Sequence, residues 1–498
     1  MSELVVQTQQ GAVRGRMRGE VAMWCGIRYA ESPTGSLRFR PPRPPPPWTG
    51  ERDATGFGPI APQSRDPRAQ MMSGIGDGAA MSEDCLTLNV YSPAADGARR
   101  PVMVWIHGGA FIMGTSSIPL YDGASFAARH DMVVVTVNYR LGLLGFLYLG
   151  DIAGDDHAEG NCALLDQIAA LTWVQGNIAR FGGDPDAVTV MGQSAGAISI
   201  ATLLAMPTAR GLFRRAILQS GASGLTPPTR GDATLLAEGI LRELDVDRAR
   251  APEMLASLPL ERLLAAQDTV IGRRGLAAFA PYVDGVTVPD APLAIMRAGL
   301  GARVPLLLGS TRDEWSLFEV FLGDGPTGAV RRALEERLGA DAVARLHAAY
   351  RDARPDRSPE RAWVDLAGHI AFWIPIVRLA EAQSACFVPV WMYRFDWASP
   401  AVGGRLGAAH ALDLPFVWNT IDRPAAQLLI GSETDEARAL ATAMHDTWAA
   451  FIRGGDPAGA GLPPWPTYDA ARRATMIIDR ESRVADDPDG ALRALWPA

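Results

Sequence analysis

The chain has 498 residues, 48% hydrophobic and 20% charged, with a formal net charge of -8. That composition belongs to a globular protein and not a disordered one. The negative balance leaves no basic footprint for nucleic acid or an anionic membrane. No lysine occurs, so all 47 basic residues counted are arginine.

The first residues lack a basic stretch followed by a long apolar run, so no secretory leader is expected. Four widely spaced cysteines, Cys25, Cys85, Cys162 and Cys386, fit free thiols in a cytoplasmic protein better than a disulfide framework. No apolar run reads as long enough to span a bilayer. Val5, Val6, Gly11, Val13 and Gly15 predict a small N-terminal hairpin. Residues 41–47 are nearly all proline and read as a rigid surface connection. Residues 63–84 are polar and glycine-rich, which predicts a mobile loop. Gly74-Ile75-Gly76-Asp77-Gly78 lies inside that stretch, but no strand precedes it, so a dinucleotide loop is set aside.

Further along, the pattern becomes α/β. Residues 86–91, 102–106, 133–138, 188–191, 215–219, 304–309 and 388–395 are short apolar runs of strand type. Residues 164–178 predict an amphipathic helix with Leu165, Ile168, Leu171 and Trp173 on its apolar face. Residues 444–451 predict a late helix. The stretches 232–300 and 328–385 read as helical insertions. Strands separated by helices imply a large, mainly parallel central sheet covered on both faces, in a single domain over 1–498.

Residues 188–191 run directly into Gly192-Gln193-Ser194-Ala195-Gly196. A strand that reverses into a helix brings backbone against backbone. Glycines two before and two after the serine remove the side chains that would clash. The serine hydroxyl then stands exposed on a strained tip, facing the N–H groups of the next helix. In a chain with 51 glycines the plain alternative is an ordinary glycine-rich turn.

Other segments decide between these readings. His107-Gly108-Gly109-Ala110-Phe111 follows the strand at 102–106, and its adjacent glycines can turn N–H groups toward a developing oxyanion. Gly108 and Gly109, with Ala195, are the candidate donors. His107 itself is read as a structural residue holding the loop. A general base should follow the nucleophile in chain order, which leaves His347, His369, His410 and His445. His410 stands out because small residues surround it, in Gly407-Ala408-Ala409-His410-Ala411. The other three read as surface or packing residues. The acid should follow a strand end, and both Asp313 and Glu314 follow the strand at 304–309. Spacing does not choose between them.

Ordered matches run nearly end to end. They include residues 26–30 (Gly-Ile-Arg-Tyr-Ala), 37–40 (Leu-Arg-Phe-Arg), 82–89 (Ser-Glu-Asp-Cys-Leu-Thr-Leu-Asn), 107–111, 138–142 (Asn-Tyr-Arg-Leu-Gly), 181–185 (Phe-Gly-Gly-Asp-Pro), 192–196 and 407–416. On these the chain resembles the type-B carboxylesterases, the family that includes cholinesterases and bacterial para-nitrobenzyl esterases. The resemblance implies an α/β-hydrolase fold and a serine esterase with Ser194 as nucleophile, His410 as base and Glu314 as acid. It also implies structural ion pairs of Arg38 with Glu83 and of Arg140 with Asp166.

Departures from the family narrow the substrate. Gln193 stands where cholinesterase-like members carry glutamate. The 63–84 loop has no tryptophan to seat a quaternary ammonium. Gly275 and Ala277 stand where cholinesterases carry bulky aromatics, which points to a roomier acyl pocket. Phe111 joins Gln193 as a pocket candidate. Asp413 replaces a glutamate common in relatives. No cysteine precedes Cys85 in residues 58–84 to staple the loop. The expectation is hydrolysis of small to medium uncharged esters, with no cofactor or metal, in a monomer or small homo-oligomer. The alternatives are an amidase, carbamate hydrolase or lactonase with the same triad, or a non-catalytic adhesion relative. A metal site at Asp155-Asp156-His157 is set aside, because three adjacent residues converge poorly on one ion.

Overall fold

The apolar runs at 102–106 and 133–138 become central strands. A computed structural model describes residues 4–65, 79–154, 159–355, 357–459 and 461–496. The chain clusters into two compact units, Met1–Ala216 with Thr226–Ala302, and Ile217–Leu225 with Arg303–Ala498. The expected mobile loop at 63–84 falls largely on 66–78, and Asp155-Asp156-His157 on 155–158; both segments lie outside the described residues.

The strands of the first unit are β1 (Val5–Gln7), β2 (Ala12–Arg14), β3 (Arg16–Arg18), β4 (Val21–Arg28), β5 (Glu51–Asp53), β6 (Thr87–Ser92), β7 (Arg100–Ile106), β8 (Val133–Val137) and β9 (Gly183–Gln193). β1 and β2 make the predicted antiparallel hairpin, and β5 joins β2 in parallel. The larger set runs β9-β7-β8-β6-β4-β3. Its β9-β7-β8 part is parallel and its β8-β6-β4-β3 part antiparallel. Every residue of β8 is buried, as a strand covered on both faces requires.

β10 (Arg215–Gln219) carries the chain from the first unit into the second. There β11 (Leu306–Thr311), β12 (Val390–Phe395) and β13 (Ala474–Ile478) pair in parallel, and β14 (Arg483–Asp486) closes antiparallel on β13. The parallel character expected for the interior of the sheet is present in both units.

The helix predicted at 164–178 is α1 (Cys162–Asn177), but its buried face differs. Leu165 and Ile168 are only half-buried, whereas Asp166 and Gln167 are buried. The physical reason is the Arg140 guanidinium, which donates to Asp166 Oδ2 at 2.8 Å and Oδ1 at 2.7 Å. A charge so paired can be enclosed, and periodicity of apolar residues does not reveal it. Arg38 likewise pairs with Glu83, at 2.7 Å, and donates to the carbonyls of Leu255 and Leu258 at 2.8 Å.

α2 (Ala195–Ala205) follows β9 after Ser194. The stretch 232–300 holds α3 (Arg230–Leu244), α4 (Ala251–Ser257) and α5 (Leu260–Arg274). The stretch 328–385 holds α6 (Gly325–Leu338), α7 (Ala340–Ala353), α8 (Pro359–Gly368) and α9 (Ile374–Ser384), with a π-helical turn at His369–Trp373 between the last two. The late helix at 444–451 is the second half of α10 (Asp435–Gly454), whose acidic first turn hides it from an apolar-periodicity reading.

One expectation needs correction. The helical run Pro359–Ser384 is 26 residues long and apolar enough to cross a membrane by length and composition. In this protein 83% of its apolar window is buried inside the fold. Arg361, Asp365, Arg378 and Glu381 interrupt the run in sequence and hide its length. All four cysteines are free; Cys25, Cys85 and Cys162 are buried and Cys386 is half-buried. Burial pushes the Cys25 thiol up to about 12 and that of Cys162 to about 11.

Candidate active site

The elbow of the candidate nucleophile belongs to the first unit. Ser194 sits between β9 and α2 at φ 55° and ψ -124°, a conformation that costs a residue bearing a side chain on the order of 1–3 kcal/mol. Close packing holds it there. A Cβ at Gly196 would lie 2.0 Å from the Ile106 carbonyl oxygen, and one at Gly192 would lie 2.7 Å from the Gly196 backbone. The two glycines flanking the serine are therefore steric requirements of the crossing between β7 and the β9–α2 turn. Ala195, the first residue of α2, has an N–H that the helix itself cannot satisfy.

Gly108 and Gly109 follow β7. A Cβ at Gly108 would come 2.7 Å from the Gln193 carbonyl oxygen and 3.1 Å from Ser194 Cβ. The loop therefore passes against Ser194, and only glycine fits. Gly109 has φ +115°, and its carbonyl accepts from Ile112 and Met113 N–H at 3.0 Å each. Among the described residues no backbone carbonyl takes the N–H of Gly108 or Gly109. His107 is buried and stacks on Tyr139 with ring centroids 4.4 Å apart, while Tyr139 Oη donates to the His107 carbonyl at 2.7 Å. Burial pushes its imidazole down to about 4. It is a neutral brace under the loop, as the sequence implied.

The second unit holds Glu314 and His410. Glu314 Oε2 accepts from His410 Nδ1 at 2.5 Å, and Glu314 Oε1 accepts from the Thr311 N–H at 2.8 Å. Both side chains are buried. An ionised carboxylate only accepts, so the imidazole proton is assigned to Nδ1, which leaves Nε2 as the basic nitrogen. Phe372, from the π-helical turn, packs on the imidazole at 4.5 Å, and Phe318 at 5.4 Å. Sequence reasoning missed both phenylalanines. No motif marks them, because the π-turn that aims Phe372 has no local sequence signature.

The other three candidate histidines have partners of their own. His369 is buried against Trp373 and bonded through Nδ1 to Tyr350 Oη at 2.9 Å, and burial pushes it down to about 3. His445 bonds the Val417 carbonyl at 2.8 Å, and His347 stacks on Trp363 at 4.3 Å.

Asp413 is fully buried. Its Oδ2 accepts from Gln219 Nε2 at 2.8 Å and from Tyr393 Oη at 2.9 Å, while its Oδ1 has no hydrogen-bond partner. Burial pushes this carboxyl up, and the charge of Glu314 adds to that.

Asp313 has a different task from its neighbour. Arg357 lies 2.9 Å from its Oδ1 and Arg312 lies 3.2 Å from its Oδ2. From Arg357 the charges alternate through Asp365 at 2.6 Å and Arg354 at 3.2 Å to Asp489 at 2.9 Å. Arg394 at 2.7 Å and Asp396 at 2.7 Å lead back to Arg312 at 3.9 Å. Four carboxylates and four guanidinium groups thus close one ring. Burial acts to raise the Asp313 carboxyl, but Arg312 and Arg357 outweigh it and hold it well below the usual range.

Of the pocket candidates, Gln193 is the buried last residue of β9. Phe111 is buried at φ 62° and packs edge-on against Phe146 at 5.1 Å. Gly275 is the half-buried C-terminal cap of α5, and Ala277 is exposed in the short turn after it. Among the described residues no group of three or more His, Cys, Asp or Glu could hold a metal ion.

A glycine-locked elbow, a diglycine loop against it and a buried carboxylate–imidazole pair are the parts of a serine hydrolase of the α/β class. Comparison with known proteins makes this specific. The family model described as the carboxylesterase family matches residues 2–496. Para-nitrobenzyl esterase from Bacillus subtilis is 39% identical over 100% of this chain and 99% of its own length. Phenmedipham hydrolase from Pseudarthrobacter oxydans is 36% identical over 97% of each. The solved carboxylesterase EST55 of Geobacillus stearothermophilus superposes with a TM-score of 0.87 at 41% identity, covering 99% of this chain and all of its own. The chain belongs to the carboxylesterase family. It is a serine carboxylesterase, a carboxylic-ester hydrolase with the α/β-hydrolase fold.

Proposed function

We propose that the chain hydrolyses small to medium uncharged carboxylic esters through an acyl-enzyme on Ser194. His410 takes the serine proton during attack and returns it to the departing alcohol, then activates water for deacylation. Glu314 orients the imidazole and stabilises its protonated form. The N–H groups of Gly108, Gly109 and Ala195 receive the negative charge that develops on the carbonyl oxygen. The observation that carries this reading is the strained Ser194 held against Gly108, together with the 2.5 Å Glu314–His410 bond.

Gln193 in place of an acidic residue speaks against a cationic substrate. Phe111, Gly275 and Ala277 are proposed pocket positions, the last two on the acyl side. One α/β-hydrolase domain over 1–498 is in keeping with the family match. The free cysteines favour a cytoplasmic location, and no nucleic-acid or membrane partner is proposed. A monomer or small homo-oligomer fits the reading.

The test is a Ser194→Ala variant assayed on para-nitrophenyl esters of increasing chain length. We expect a folded protein with kcat lowered by about four to six orders of magnitude. A fluorophosphonate should label the wild type at Ser194 and leave the variant unlabelled. Undiminished hydrolysis by the variant overturns the assignment. The second reading, a carbamate hydrolase, is favoured by the Phenmedipham hydrolase relative. Matched ester, carbamate and amide substrates separate the two readings by which leaving group is released fastest.

A further inference from the structure

The loop that carries His410 is Gly407-Ala408-Ala409, with no side chain larger than a methyl group before the histidine. Such a loop cannot anchor itself through side chains, so backbone bonds must set its position. The Ser399 N–H donates to the Gly407 carbonyl at 2.9 Å, and Asp313 holds the next residue. The Asp313 N–H donates to the Ala408 carbonyl at 2.9 Å, and its Oδ2 accepts from the Ala408 N–H at 2.9 Å. A parallel bridge also pairs Asp313 with Ala409. Gly407 stands at φ +58°, and a Cβ there would lie 2.5 Å from Asp313 Oδ2. The carboxylate therefore fills the space that a larger residue at 407 would need.

The other oxygen of Asp313 faces outward along the ion ring. Arg357 lies 2.9 Å and Arg361 3.2 Å from its Oδ1. Arg361 belongs to α8, whose last residue, Gly368, passes against Glu314: a Cβ there would lie 3.2 Å from Glu314 Cβ. One buried carboxylate thus ties the acid segment and α8 to the backbone two residues before the base. Enclosing a carboxylate is costly, and apolar replacement of a buried ion pair is often neutral or stabilising. Scaffold stability is therefore a weak account of a charge at this position.

We propose that Asp313 is a positioning residue for the reaction, setting the place of His410 through Ala408 while Glu314 sets its orientation. This rests on His410 being the base. A shift of about 1 Å in a reacting group costs about a hundredfold in rate.

The experiment compares Asp313→Asn and Asp313→Ala with Asp365→Asn and Asp489→Asn, two ring members not bonded to residues 407–410. kcat, KM and melting temperature are measured for each, with His410→Ala as reference. We expect kcat to fall in the order wild type, Asn, Ala, by about tenfold or more for Ala, with KM within about twofold. Asn keeps an acceptor for the Ala408 N–H, so its milder loss serves as partial rescue. The Asp365 and Asp489 variants should lose melting temperature and keep kcat within about twofold. If Asp313→Ala does not fold, the Asn variant decides: lowered kcat at unchanged KM supports the proposal, and wild-type kcat overturns it. Equal kcat losses across all ring variants also overturn it. If His410→Ala stays active, the reading of the base has failed. If that variant is inactive while Asp313→Asn keeps wild-type kcat, only the positioning role has failed.

Discussion

The elbow and the Glu314–His410 pair solve the same problem, holding a reactive group still, by opposite means. The elbow is all shape. Its fixed points are missing side chains at Gly108, Gly192 and Gly196, and the closest approach is a would-be methyl 2.0 Å from a carbonyl. The pair is all charge. Glu314 is buried against an imidazole, and the carboxylate beside it closes a ring of alternating ions. A region built on shape should fail when volume is added and tolerate changes of charge. A region built on charge should fail under isosteric neutralisation.

Glu314→Gln gives the largest effect expected from that contrast. It changes almost no volume, yet it removes the acceptor that fixes the Nδ1 proton. We expect kcat to fall by about 10³- to 10⁴-fold with the fold intact. A loss below about tenfold would erase the distinction between a region held by shape and one held by charge. Next comes Gly108→Ala, which adds one methyl group and no charge. The Cβ would lie 2.7 Å from the Gln193 carbonyl, so the loop must move and carry its N–H away from the proposed oxyanion position. A loss of about 10²- to 10³-fold in kcat is expected, and it should not vary with ionic strength.

A third prediction concerns stability. His107 and His369 are buried neutral, with folded values pushed down to about 4 and about 3. The unfolded chain takes up a proton at each near pH 6.5, and the native chain does not. Unfolding therefore binds protons below about 6.5, and stability drops as pH falls. Each histidine contributes a slope of about 1.4 kcal/mol per pH unit down to its folded value. Denaturant melts at pH 7, 6, 5 and 4 should show the decline, and His369→Asn should make it shallower. A flat profile between 6.5 and 4 would contradict these buried neutral states.

The smallest expected effect sharpens the contrast from within the charged region. Asp413 lies close enough for Glu314 to raise its carboxyl, and burial acts in the same direction. A group raised in this way contributes stability at low pH and loses it as pH rises through its folded value. Asp413→Asn keeps an acceptor for Gln219 and Tyr393. It should leave kcat within about threefold and stability at pH 8 unchanged or higher. A hundredfold loss would show that a charge is needed there after all.

How much was legible in sequence follows the same division. Shape is written locally: glycine two before and two after Ser194, and the pair at 108–109, mark the elbow and its loop. The strands at 102–106, 133–138 and 215–219 were equally plain, because a fully buried strand must be an apolar run. Charge pairing is written at long range. Asp313 and Glu314 could not be told apart by spacing, since their difference lies in Arg357, Ala408 and His410, whose contacts with them span 44 to 96 residues along the chain. The same holds for Asp166 on α1: apolar periodicity puts it on a solvent face, and only the family resemblance pairs it with Arg140. β14 carries no apolar run, because it is four residues long and none of them is buried; β13 is a fully buried apolar run as plain as β8, and sequence reasoning missed it.

The thiols described in the fold have a practical consequence. Cys25, Cys85 and Cys162 are enclosed and held protonated, while Cys386 is partly open to solvent beside the exposed Phe387. With no lysine in the chain, amine-directed reagents find no side chain to acylate. A maleimide fluorophore should accordingly settle at a single address, Cys386. That would give an optical reporter attached without mutagenesis and without touching the serine chemistry.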